Sequence, residues 1–116
     1  MTSVRFGTDG IRGVAGETIT AELASALGVV LGSRHPGGNI LVGRDTRESG
    51  VRLSTSLAAG IVAGGARPID VGVIPTSGLA IITAGEPSIA RAVAVTASHN
   101  PAEYNGLKVI GRNGRK

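Results

Sequence analysis

The sequence predicts an α/β domain of three layers, with helices on both faces of a mostly parallel, mixed sheet. Three observations predict it. Short runs rich in Val, Ile and Ala alternate with stretches whose apolar residues recur at helical spacing, the pattern of βαβ units. Apolar residues make up 41% of the chain and aromatic ones only 2%. The core is therefore built from Ala, Val, Ile and Leu, which suits interlocked helices and buried parallel strands better than an aromatic-filled sandwich. The 19 glycines are spread out, mostly at element ends, so the chain is not of low complexity. At 116 residues it is one domain, residues 1–116, long enough to bury about two-thirds of its unfolded surface.

Residues 4–16, "VRFGTDGIRGVAG", read as a short strand and then a tight, glycine-rich loop. Thr20 is placed to cap the first helix, with Ile19 and Ala24 as a hydrophobic staple around it. Ile19, Leu23, Leu27, Val30 and Leu31 form the apolar stripe of that helix, and "HPGG" at 35–38 stops it. "NILVG" at 39–43 is a buried strand, and "RDTRESG" after it is a polar loop. Ser49 is placed to cap the second helix, with Leu53, Leu57, Ile61 and Val62 on one face and Gly64–Gly65 ending it. "PIDVGVI" at 68–74 is a third strand, "PTSG" leads into a short helix near Leu79–Thr83, and "ARAVAVT" at 90–96 is a fourth strand. "GLKVIG" at 106–111 is a fifth. Asn113-Gly114 is a strong hairpin signal with no returning strand behind it, which predicts truncation at the C-terminus or pairing with another chain.

Composition excludes several functions. There is no cysteine, hence no disulfide and no thiolate metal site. His35 and His99 are too few and too isolated for a zinc site. No membrane-spanning run or signal peptide appears, so no membrane partner is expected and cytoplasmic location is the default. The net charge of +4 comes from 12 basic against 8 acidic residues, scattered without a basic run. Phe6 and Tyr104 alone offer no base-stacking platform, so no nucleic acid is expected. Small phosphorylated substrates suit the charge equally well. G-x-G-x-x-G after a strand and the P-loop pattern are both absent.

In parallel sheets the ligand site lies beyond the carboxyl ends of the strands. "GRDTRESG", "IPTSG" and "TASHN" occupy those ends. The last is unusual: a buried strand opens at once onto Ser98, His99 and Asn100. His99 is too close in sequence to serve Ser98 as a base without a sharp backbone turn, and G-x-S-x-G is absent, so a hydrolase triad is disfavoured. A serine that accepts and donates phosphate fits better. Phosphoryl transfer needs positioning and positive charge above all, and Arg12, Arg44, Arg47, His99 and Lys108 can supply the charge. The plainer alternative is that Ser98 and Asn100 form a local side-chain turn before Pro101. Thr8, Asp9 and Arg12 lie in "GTDGIRG", where glycines let backbone approach a ligand; the alternative is a turn with a surface ion pair. Lys108, in "NGLKV", is either a general acid or base beside a buried strand or a solvated lysine on an edge strand. Arg67 and Arg91 read as solvated, and His35 as a surface residue at a helix end.

"FGTDGIRG", "VGRDTRESG", "GVIPTSG" and "TASHNPAEYNGLKV" occur in that order over essentially the whole chain. Together they resemble the first domain of the α-D-phosphohexomutases, the family of phosphoglucomutase, phosphomannomutase and phosphoglucosamine mutase. The resemblance implies that Ser98 carries a phosphate passed between O1 and O6 of a hexose phosphate through a bound bisphosphate. It implies that Arg12 and Lys108 assist proton transfer and that His99 and Asn100 line the site. Thr8, Asp9 and Arg44 are implied contacts for substrate or phosphate. A Mg²⁺ ion is implied on the phosphate of Ser98, its other ligands belonging to a second domain. Sugar-selecting and phosphate-gripping loops belong to a third and a fourth. Asp9, Asp45 and Asp70 form no D-x-D-x-D cluster. The partners implied are therefore domains 2–4 of the same protein. The chain alone is expected to have little mutase activity and some tendency to self-associate. A free-standing, non-catalytic module that binds phosphate or assembles with other chains is the rival reading. "FGTDGIRG" leans to phosphoglucosamine mutases and "ASHNPAEYNGLKV" to the phosphomannomutase and phosphoglucomutase branch.

Overall fold

The structure, a computed structural model, describes residues 11–97 and 100–111. In chain order these form strand β1 (Ile11–Val14), helix α1 (Ala21–Arg34), β2 (Asn39–Arg44), α2 (Gly50–Gly64), β3 (Arg67–Val73), α3 (Thr76–Gly85), β4 (Ile89–Val95) and β5 (Tyr104–Ile110). The strands make one sheet in the order β1-β5-β4-β2-β3. Pairing is parallel for β4–β2 and β2–β3 and antiparallel for β1–β5 and β5–β4. Four strands therefore run one way and β5 alone runs against them. The three-layer α/β/α architecture is as the sequence predicts.

Strand β4 shows how the layers are built. Val93 and Val95 point to one face and pack with Leu31, Leu53, Leu57 and Ile61 of α1 and α2. Ala92 and Ala94 point to the other and pack with Leu79 of α3. Period-two alternation thus divides large residues from small ones, and the thinner layer takes the single helix.

Helix α1 begins as predicted. Thr20 Oγ1 accepts a hydrogen bond from Leu23 N at 3.1 Å, and Ile19 and Ala24 are both fully buried. Its buried face differs from the predicted stripe: it is Ala24, Gly28, Leu31 and Gly32, while Val30 is exposed. The reason is the crossing with α2, where Gly28 and Gly32 of α1 lie against Gly60 and Gly64 of α2. A Cβ on Gly64 would stand 2.8 Å from Ser33 N, and one on Gly32 would stand 3.0 Å from Gly64 Cα. The helices meet backbone to backbone, so glycines and not the large apolar residues mark the contact. Val62 is exposed for the same reason. Gly65 ends α2 in the left-handed conformation, φ +113°.

Three further elements differ from expectation. Within residues 4–16, read as a short strand and then a loop, Ile11–Val14 form β1. Helix α3 runs from Thr76 to Gly85, further in both directions than the Leu79–Thr83 core. Ser49 stands at the cap position of α2, but its hydroxyl makes no cap hydrogen bond. It accepts instead from the fully buried Asn105 Nδ2 at 2.8 Å. The Asn113-Gly114 signal lies outside the described residues.

Candidate functional site

The carboxyl ends of β1, β2, β3 and β4 lie at one edge of the sheet, and β5 starts there. Of the eight expected site residues, Arg12, Arg44, Asn100 and Lys108 are described. Thr8, Asp9, Ser98 and His99 lie outside the described residues.

The chain on either side of residues 98 and 99 is closely held. Thr96 N donates to Gly106 O at 3.0 Å, which extends the β4–β5 ladder beyond Val95. Asn100 N donates to Ala97 O at 3.1 Å, and Tyr104 N to Pro101 O at 2.9 Å. The loop after β2 is docked against this segment. Asp45 Oδ2 accepts from Thr96 Oγ1 at 2.6 Å and from Arg47 Nε at 2.9 Å. Asp45 Oδ1 accepts from Arg47 N at 3.2 Å, closing an Asx turn. Arg47 Nη1 is shared among the carbonyls of Asn100, Pro101 and Tyr104 at 2.9, 2.7 and 3.2 Å. Burial pushes the Asp45 carboxyl up, but the hydrogen bonds from Thr96 and Arg47 and the guanidinium charge outweigh it, and its pKa is held below the ordinary value.

Arg12 reaches this loop from β1, donating from Nη1 to Asn100 Oδ1 at 3.2 Å. It faces Gly106 across the β1–β5 pair. A Cβ on Gly106 would stand 2.7 Å from Thr96 O and 3.1 Å from Arg12 Cγ, so only glycine leaves room for both. Lys108 lies opposite Ala94 and is only 6% exposed. It is not on an edge strand, because β5 is flanked by β1 and β4, so the reading of a solvated edge lysine does not hold. Strand alternation puts Arg12 and Lys108 on the same sheet face, opposite the one covered by α1 and α2. Arg44 is drawn elsewhere: its stem lies beneath Gly50 and its Nη1 pairs with Asp70 on β3 at 3.7 Å.

A cleft of about 690 Å³ lies on the α1–α2 side of the same edge, lined by Ile19, Thr20, Ser49 and Leu53 among others. Its charged residues are Glu22, Glu48 and Glu103 against Arg52. That balance repels phosphate, and Arg12 and Lys108 face away from it. The structure thus separates this cleft from Arg12 and Lys108. No group of three His, Asp or Glu among the described residues could hold a metal ion. No helix among them is long and apolar enough to cross a membrane.

Sequence reasoning named Arg47 only as a source of charge and gave Asp45 and Thr96 no part in the site. The available signal was the D-x-R spacing directly after a buried strand, which closes an Asx turn and returns a guanidinium over its own carboxylate.

A model of the phosphoglucomutase/phosphomannomutase α/β/α domain I matches residues 3–116. The chain belongs to this family. It is 50% identical to a phosphoglucosamine mutase of Rubrobacter xylanophilus over 96% of the chain and 24% of that relative. It is 48% identical to one of Thermotoga neapolitana, covering 25% of it. A solved phosphoglucomutase/phosphomannomutase family protein of Burkholderia thailandensis superposes with a TM-score of 0.83 at 36% identity, over 93% of this chain and 26% of that one. The chain thus spans about a quarter of the length of the relatives it matches, as the expectation of further domains requires.

Proposed function

We propose that this chain is the phosphate-carrying domain of a phosphohexomutase acting on an amino-hexose phosphate, with Ser98 as the carrier. A hydroxyl oxygen of the bound hexose monophosphate attacks the phosphorus of phospho-Ser98. The P–O bond to the serine breaks as the P–O bond to the sugar forms, and the hydroxyl proton ends on the serine oxygen. The bisphosphate turns over, and its other phosphate returns to the serine by the reverse step, so O1 and O6 exchange phosphate and the serine is restored.

The observation that carries this reading is the Arg12–Asn100 hydrogen bond. It fixes a guanidinium beside the segment that holds residues 98 and 99, on the sheet face that also carries Lys108. Phosphoryl transfer takes most of its catalysis from such positioning and positive charge. In this reading Arg12 and Lys108 assist the proton's movement, and His99, Asn100, Thr8 and Asp9 line the site. Arg44, whose Nη1 stands 3.7 Å from Asp70 Oδ1 on β3, has no contact with this loop assigned to it. The amino-sugar preference rests on the names of the relatives, both phosphoglucosamine mutases. A Mg²⁺ ion on the phosphate is expected from the resemblance, but the described residues supply no ligand set for it. The segments that complete the enzyme belong to the remaining length of the relatives, and the chain alone is expected to be inactive. The lack of a membrane-crossing helix among the described residues is compatible with a cytoplasmic enzyme.

The test uses the full-length protein and its Ser98→Ala variant. Intact mass should show one phosphate on the parent and none on the variant. Activity with glucosamine 6-phosphate should exceed that with mannose 1-phosphate or glucose 1-phosphate and should vanish with Ala at 98. Full activity in that variant would overturn the mechanism.

A further inference from the structure

We propose that Asp45 and Arg47 form a positioning pair that sets the rate of phosphate transfer through Ser98 without touching the substrate. The proposal rests on the reading of Ser98 as the carrier. The pair ties both stems of one loop to a single point. Through Thr96, Asp45 holds the stem that leaves β4. Through three carbonyls, Arg47 holds the stem that enters β5. The two halves are joined by the bond from Arg47 Nε to Asp45 Oδ2. Residues 98 and 99 lie in sequence between these anchors, and the Arg47 side chain is only 10% exposed.

The chemistry of the joint requires arginine. Its fork presents Nε and Nη1 at fixed separation, so one nitrogen can face the carboxylate while the other faces the carbonyls. Lysine has one nitrogen, whose three donors turn on a flexible stem and are not held in a fork. Arg47 gives Nε to Asp45 and Nη1 to backbone oxygens, so in this proposal it acts on the serine through the loop. Misplacement of a reacting group by about 1 Å costs on the order of 10²-fold in rate, so a loosened loop should slow transfer while leaving the sugar's binding groups in place.

The experiment measures kcat and KM of the full-length protein with glucosamine 6-phosphate for Arg47→Lys, Arg47→Ala and Thr96→Val. It also measures the rate at which glucose 1,6-bisphosphate rephosphorylates Ser98, followed by intact mass. Arg47→Lys should lose on the order of 10²-fold in kcat, with KM within about twofold and the rephosphorylation rate falling in step. Lysine should do no better than alanine, and Thr96→Val, which removes the hydroxyl bonded to Asp45 and keeps the shape, should fall between these variants and the parent. A raised KM at unchanged kcat would make Arg47 a substrate ligand and overturn the proposal. So would full kcat in Arg47→Lys or in Thr96→Val, the variant that tests the joint if those at 47 fail to fold. Ser98→Ala separates the two readings. If it stays active, the carrier assignment fails. If it is inactive while Arg47→Lys is unimpaired, only the positioning pair falls.

Discussion

Gly60→Ala should destabilise the domain even though alanine is the better helix former. In an exposed helix interior the change gains about 1 kcal/mol. At position 60 the new Cβ would stand 2.9 Å from the carbonyl carbon of Ser25 and 3.1 Å from Gly28 Cα. Carbon atoms pack best at about 3.5–4.0 Å. Both neighbours are backbone of α1, so neither can rotate away, and the clearance has to come from separating the two helices. Their shared cluster includes Leu31, Leu53, Leu57 and Ile61. Overpacking of a tight core costs about 1–3 kcal/mol, and a contact with backbone on both sides belongs at the upper end. The net loss is then about 2 kcal/mol, and at about 3–6 °C per kcal/mol for a domain of this size, Tm should fall by roughly 6–12 °C.

Thermal unfolding followed by circular dichroism reads this directly, with Gly85→Ala as the control. Gly85 ends α3, and a Cβ there would have nothing within 4 Å of it, so its substitution should leave Tm unchanged or raise it. If Gly60→Ala raises Tm as Gly85→Ala does, the backbone-to-backbone crossing is not the reason for glycine there.

Two other predictions concern buried and titrating groups. Burial lowers the pKa of His35 below 6.5, and the positive charges of Arg91 and Arg34 lower it further. The unfolded chain then binds the proton more readily than the folded one, so stability should fall as pH drops from 6.5 through the folded value. Assigned imidazole resonances should titrate below the free-histidine midpoint, and His35→Gln should flatten that part of the stability profile. Ser49→Ala should cost about 1–3 kcal/mol, because it strands the amide of fully buried Asn105. A urea double-mutant cycle with Asn105→Ala should show strong coupling, and additive losses would return Ser49 to an ordinary cap.

Much of the fold was legible because its signals are local. Thr20, Ile19 and Ala24 mark the start of α1 by chemistry and spacing, and Gly65 marks the end of α2. The stripe through Val30 misled because hydrophobicity assigns the buried face to large residues, whereas a close crossing is made by residues with no side chain. Ser49 misled for a related reason: its partner Asn105 is 56 residues away, and local capping was the only use a sequence could offer. The site divides in the same way. Arg12 and Lys108 were named from motif context, but the partner of Asp45 is Thr96, 51 residues distant, which only the strand order brings near.

That strand order bears on what the loop can do. Were β4 followed by a helical crossover, as β2 and β3 are, the loop after it would leave the sheet with one stem anchored. Instead β5 returns at once beside β4, and the ladder continues past the strand end through Thr96 N to Gly106 O. Both stems therefore belong to the sheet before Asp45 and Arg47 add their bonds. A phosphate carrier has to stay fixed while a bisphosphate turns in front of it, since transfer in each direction depends on in-line approach to the same oxygen. A loop held at two ladder positions and at one guanidinium–carboxylate joint meets that requirement from within the domain. Under the proposed function, the single antiparallel strand in an otherwise parallel sheet is the feature of the fold that suits it to carrying phosphate.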